Sequence, residues 1–156
     1  MIDIDELMRL AIERAQAGIA QGQTPFGCAI ALGDEIVAAS HNTVWASTDI
    51  TCHAEVNAVR EACAHLGSIF LEGATVAATC EPCPMCMSAL HWARVGTVCY
   101  GASIADADRA GFSELHLSAA SLLEQSGSGV DLVAGVLTRQ CQLLFDEWKA
   151  HGNRSY

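Results

Sequence analysis

Eight residues, Thr79 to Cys86 (TCEPCPMC), carry three cysteines at three-residue intervals together with two prolines. Pro84 suits the first position of a helix, where its missing N–H costs no hydrogen bond. Cys83 is then the cap residue and Cys86 the third residue of the first turn, so both sulfurs sit beside free N–H groups at the positive helix end. That field favours the thiolate, which is the form that binds a metal. A second cluster, His53-Ala54-Glu55, opens another helical stretch. In mid-helix, residues two apart point in different directions, but at a first turn they can flank one point in space. His53, Cys83 and Cys86 therefore offer three ligands for one zinc ion per chain and leave the fourth tetrahedral position to water, as in a catalytic zinc site and unlike a closed structural one. Zinc held this way lowers the pKa of its water to about 7. Glu55, which is not a ligand, is placed to take that proton and return it, so the chemistry is hydrolytic.

Two other uses of these sulfurs fit less well. A Cys-x-x-Cys can be a redox pair, but no thioredoxin-like pattern surrounds this one. Cys80, Cys83 and Cys86 also mimic the spacing of an iron–sulfur site, but the fourth cysteine with its following proline is missing. Cys80 is expected to be a buried thiol at a strand end. The remaining cysteines read as core or unassigned, and the remaining histidines as structural or solvent-facing.

The elements that must position these residues follow from periodicity. Apolar residues from Ile4 to Ile19 recur at helical spacing, which predicts a helix over 4–20. CAIAL and EIVAAS flank Gly33-Asp34 and predict a hairpin. HAEVNAVREACAHLG predicts a helix stopped by Gly67. A short buried strand (ATVAATC), a helix (PMCMSALHWARVG) and a further strand (TVCYGAS) come next, an order that suggests parallel pairing through a crossover. SGSGVDLVAGVL gives a linker and a short strand, and LTRQCQLLFDEWKAHG a closing helix. The expected architecture is a three-layer α/β/α sandwich around a five-stranded mixed sheet, with residues 1–156 as one domain.

Composition limits the partners. The chain has 156 residues, 51% of them hydrophobic, enough for a real core and too apolar for a disordered segment. Its net charge of −10 disfavours a phosphate backbone as the main partner, because that contact needs clustered Lys and Arg. No apolar run is long enough to span a membrane, and the acidic, amphipathic start is unlike a secretory signal. A cytoplasmic location is expected, and there eight cysteines read as ligands or buried thiols before disulfides.

His-Ala-Glu followed by Pro-Cys-x-x-Cys, each opening a helix, is the signature of zinc-dependent deaminases. On these motifs, with PFG at 25–27, HN at 41–42, WAR at 92–94, AGF at 110–112 and the terminal Tyr156, the chain resembles the cytidine-deaminase-like superfamily, and within it the bacterial guanine deaminases. HAEVNAVR and EPCPMC equally suit a tRNA adenosine deaminase; ADADRAGF and the terminal Tyr carry the guanine-like signal. The resemblance implies deamination of a free purine, with guanine to xanthine and ammonia as the leading reading. The alternatives are another aminated heterocycle (cytosine, adenine or an s-triazine amine) or adenosine in tRNA. It further implies that Asn42 hydrogen-bonds the base, Phe26 stacks on it, the Ala54 N–H meets its edge and Trp92 lines the pocket. Glu114 stands where such enzymes usually have Asp and would contact the guanine edge. The tail 151–156 would close over the site of a partner subunit in a swapped homodimer. The acidic SIADADRAGF segment favours a small base over RNA.

Overall fold

The computed structural model describes residues 1–156. In chain order the elements are α1 (Ile4–Ala20), β1 (Gly27–Leu32), β2 (Glu35–His41), α2 (Val44–Ser47), α3 (Ala54–Leu66), β3 (Thr75–Cys80), α4 (Pro84–Trp92), β4 (Thr97–Ala102), α5 (Ile104–Ala110), α6 (Ala119–Ser126), β5 (Asp131–Ala134) and α7 (Thr138–Ala150). The five strands form one mixed sheet in the order β2-β1-β3-β4-β5. β1 runs antiparallel to β2 and β3, while β3, β4 and β5 are parallel.

Alternation along the central strands builds two cores, one on each face of the sheet. Ala29, Ala31, Ala77 and Cys99 face α1, α5 and α7, and join Leu7, Met8, Leu144 and Trp148. Cys28, Ile30, Val76 and Val98 face α3, α4 and α6, and join Ala58, Met87 and Leu90. Burying side chains such as Leu7, Met8 and Ile19 contributes about 1.5–3 kcal/mol each, which ties α1 to the sheet. Small residues let the layers approach. A Cβ at Gly27 would run into the carbonyl oxygen of Ala11, so only glycine lets β1 start this close under α1.

The expected sandwich and its five strands are present, and the structural neighbours described below share the fold. Three helices, the single-turn α2 and the longer α5 and α6, lie where the sequence reading assigned none. α5 is opened by a reciprocal cap, with Ser103 Oγ accepting from the Asp106 N–H and the Asp106 carboxylate accepting from the Ser103 N–H. Ser118 caps α6 by accepting from the Ser121 N–H. Short helices of this kind owe their existence to caps and packing more than to apolar periodicity. No helix is long and apolar enough to cross a membrane.

Candidate active site

Two helix starts meet beyond the end of β3. His53 is the extended cap residue of α3 and Cys83 that of α4, with Pro84 at the first position of α4 as its type dictates. Cys86 follows in the first turn of α4 and is fully buried. The ligand atoms of His53, Cys83 and Cys86 lie within 4.8 Å of one another. His53 Nδ1 is 3.7 Å from Cys83 Sγ and 3.4 Å from Cys86 Sγ. A tetrahedral centre with zinc–sulfur bonds of about 2.3 Å and zinc–nitrogen bonds of about 2.0–2.1 Å sets nitrogen and sulfur about 3.5 Å apart, so the three residues fit a zinc ion. Cys80 stands outside this cluster, buried at the end of β3, its thiol donating to the Ser103 carbonyl.

Electrostatics agree with the ligand role. A hydrogen bond from the Cys86 thiol, helped by His53, lowers the Cys83 thiol to about 4, so Cys83 is the first sulfur to become thiolate. Cys86, bonded to that thiolate and buried, is pushed well up. Burial opposes protonation of His53, but Cys83 and Glu55 outweigh it and raise its pKa. Glu55, in the first turn of α3 and only 8% exposed, is raised by burial and then by the Cys83 thiolate. A carboxyl that holds its proton more tightly than usual is suited to shuttle it near neutral pH.

Above the cluster lies an inner pocket of about 30 Å³, lined by Phe26, Asn42, His53, Glu55, Cys83, Glu114 and Tyr156. It opens into an outer cleft of about 360 Å³ walled by Ile50, Pro84, Met85, Phe112, Ser113, Glu114 and Leu115. Phe26 meets Phe112 edge to face at 4.9 Å. Asn42 is fully buried; its Oδ1 accepts from the Val44 N–H, and its Nδ2 donates to the Tyr156 hydroxyl at 2.7 Å. Ala54 is the first residue of α3, where its N–H has no partner within the helix. Glu114 is raised to about 7, first by burial and then by the Cys83 thiolate. Phe26, Asn42, Glu114 and Tyr156 are thus brought together with the metal ligands.

One expectation is corrected. Trp92 is 78% exposed and lines a different groove with Ile69, Phe70 and Arg94. Six residues after Cys86, at 100° per residue, it is turned about 240° round α4 and points away from the cleft. Within one chain the tail folds back toward the site. Gly152, at φ 68°, turns the chain back, and Asn153 Nδ2 donates to the carbonyls of Ile19 and Gln23. Trp45 Nε1 donates to the Arg154 carbonyl and stacks under its guanidinium. The Ser113 N–H donates to the Tyr156 carbonyl, and the Tyr156 ring lies 5.6 Å from that of His53.

Sequence reasoning missed several supports. Asn57, two residues after Glu55, donates to the carbonyls of His41 and Cys52 and to Thr43 Oγ1, binding the Asn42 loop to α3. Its signal was its place in the same first turns of the helix as Glu55. Phe112, next to the left-handed Gly111, packs on Trp148 and Tyr156.

Known proteins place this geometry. The family model for the cytidine and deoxycytidylate deaminase zinc-binding region matches residues 1–102. Guanine deaminase from Bacillus subtilis is 45% identical over 105 residues, 67% of this chain and 65% of that enzyme, so the match spans just under two thirds of that relative's length. The tRNA-specific adenosine deaminase of Bacillus subtilis is 36% identical over 138 residues, 88% of this chain and 83% of that enzyme. The structure described as guanine deaminase from Nitrosomonas europaea superposes with a TM-score of 0.87 at 25% identity, covering 96% of this chain and 86% of that one. With that family model matched over residues 1–102, and His53, Cys83 and Cys86 gathered into a cluster that fits a zinc ion, the chain belongs to the cytidine and deoxycytidylate deaminase zinc-binding family.

Proposed function

We propose that the protein is a zinc-dependent aminohydrolase of free purine bases, converting guanine and water to xanthine and ammonia with one zinc per chain. One observation carries the reading. No Lys or Arg lines the cleft, and its walls are largely apolar, so it suits a neutral planar heterocycle better than a phosphate backbone. The guanine deaminases of two organisms among the relatives agree with it.

When bound by His53, Cys83 and Cys86, zinc supplies a Lewis acid and water acidified toward about pKa 7. The protein's own groups then do the positioning and the proton transfers. Glu55 takes the two protons of the water in turn, passing one to a ring nitrogen and the other to the departing amine. The attacked ring carbon gains an oxygen from water and loses its amine as ammonia. Asn42 gives one amide hydrogen to Tyr156 and offers the other to the base. Phe26 and Phe112 present apolar surface to the ring, the Ala54 N–H meets its edge, and Glu114 faces it as a second carboxyl. Tyr156 covers the site and restricts water. We read the protein as a cytoplasmic homodimer; the exposed Ile69, Phe70 and Trp92 support an interface.

The second reading, adenosine in tRNA, is favoured by the length of the match to the tRNA-specific relative. Ammonia release is to be measured with guanine, adenine, cytosine and s-triazine amines, and inosine formation in added tRNA. Guanine is expected to give the fastest release with tRNA unchanged. Inosine without turnover of free bases would replace the leading reading with the second.

A further inference from the structure

We infer that Glu81 is a positioning residue of this site, pinning the wall that carries Phe112 and Glu114 to the loop that carries the metal ligands. The inference rests on the deaminase reading above for its catalytic consequence, but not for its geometry.

Glu81 lies between the end of β3 and Cys83 and is only 8% exposed. No Lys, Arg or His pairs with it. Both carboxylate oxygens are instead taken by backbone amides. Oε2 accepts from the Ile104 N–H at 3.0 Å, and Oε1 accepts from the Ala119 N–H at 2.9 Å. Ile104 begins α5 and Ala119 begins α6, so each is an N–H without a partner inside its own helix. A single buried carboxylate thus holds both ends of one segment. Its own N–H donates to the Ala102 carbonyl at 2.8 Å, which fixes it to the end of β4.

The pinned segment contains Phe112 and Glu114, which line the outer cleft. A buried carboxylate is costly unless fully hydrogen-bonded, and an apolar side chain would meet the packing requirement alone. Bonds from amides to a charged acceptor are about twice as strong as neutral ones, so this residue type makes a stiff strap. Its two anchors set the distance between Glu114 and the thiolates two and five residues further on. A shift of 1 Å in such a site can cost about 100-fold in rate.

The test is Glu81→Gln, which keeps the shape but replaces one acceptor oxygen with an amide nitrogen that cannot accept. Zinc content, hydrogen exchange across residues 104–119 and steady-state kinetics are measured on the zinc-loaded protein, with whichever base the unaltered chain deaminates fastest. Zinc content should stay the same, exchange across the segment should speed up, and kcat/KM should fall roughly 10–100-fold. In a Glu114→Gln background the further loss should be small, because the strap acts through the wall. Ala119→Pro removes one donor from the other side; proline suits a first helical position, and Ser118 is already extended at φ −68°, ψ 152° as a residue before proline must be. It should reproduce the faster exchange. Unchanged exchange in Glu81→Gln overturns the inference, as does zinc lost in step with activity, or full additivity with Glu114→Gln. If the unaltered chain deaminates no base, the functional reading falls, and the exchange data still decide whether Glu81 pins the segment.

Discussion

The metal corner and the cleft wall line one site but are built in opposite ways. His53, Glu55, Cys83 and Cys86 stand on the first turns of two helices, each packed into the sheet through a buried face. Phe26, Asn42, Phe112, Glu114 and Tyr156 stand on connections and on the tail. Helix starts fix direction through local rules of capping and turn geometry. Connections take their direction from distant partners, as Asn42 does from Tyr156. On the proposed function, the zinc chemistry sits on helix starts and the selection of a base on the connections, where binding residues commonly lie.

The sharpest division within the metal corner is between holding the ion and moving the proton. Cys86→Ala should lose zinc and all measurable turnover, because two ligands remain of three. Glu55→Gln should keep zinc, by atomic absorption, while turnover falls roughly 10²–10⁴-fold. If Glu55→Gln loses zinc as Cys86→Ala does, Glu55 belongs with the ligands and the division collapses.

A smaller effect tests the wall, through pH. Glu114 has an ordinary value of 4.5 that is raised to about 7 in the folded, metal-free chain. Between those values the folded state holds a proton that the unfolded state has released, so stability declines as pH rises from about 4.5 to about 7 and then levels. Glu55 tilts the same way, and Cys83, lowered to about 4, tilts the other way. The difference between the chain and Glu114→Gln isolates the wall. Urea midpoints of the metal-free proteins at pH 5 and pH 8 should show the variant gaining relative stability at the higher pH. A gain at pH 5 in its place would put the shift in the wrong direction.

The same contrast explains what could be read from sequence. His53, Glu55, Cys83 and Cys86 were legible because a first helical turn converts spacing into position without help from the rest of the chain. The strands were legible because the two faces of β1 and β3 alternate between two cores. α5 and α6 were not, since their signals are caps and not stripes. Nor was the role of Glu81, because its partners Ile104 and Ala119 become neighbours only once β3 and β4 are paired. The tail's return to its own chain depends on Asn153 reaching the end of α1, a contact across almost the whole sequence.

Trp92 gives the smallest expected effect and the cleanest check on this distinction. It shares α4 with Cys86, and proximity in sequence suggested a place in the pocket. Helical geometry turns it about 240° away, and it ends 78% exposed beside Ile69, Phe70 and Arg94. Trp92→Ser should therefore leave kcat/KM within about 2-fold and stability within about 0.5 kcal/mol, as for other exposed positions. Steady-state kinetics and a thermal melt at high protein concentration measure both. A loss of 10-fold or more there would return Trp92 to the service of the cleft and break the separation of faces. A loss that emerges only on dilution would mark the groove as an interface between copies of the chain. Its effect would then pass through assembly and leave the chemistry of the metal corner untouched, because Cys86 and Trp92 lie on different faces of the same short helix.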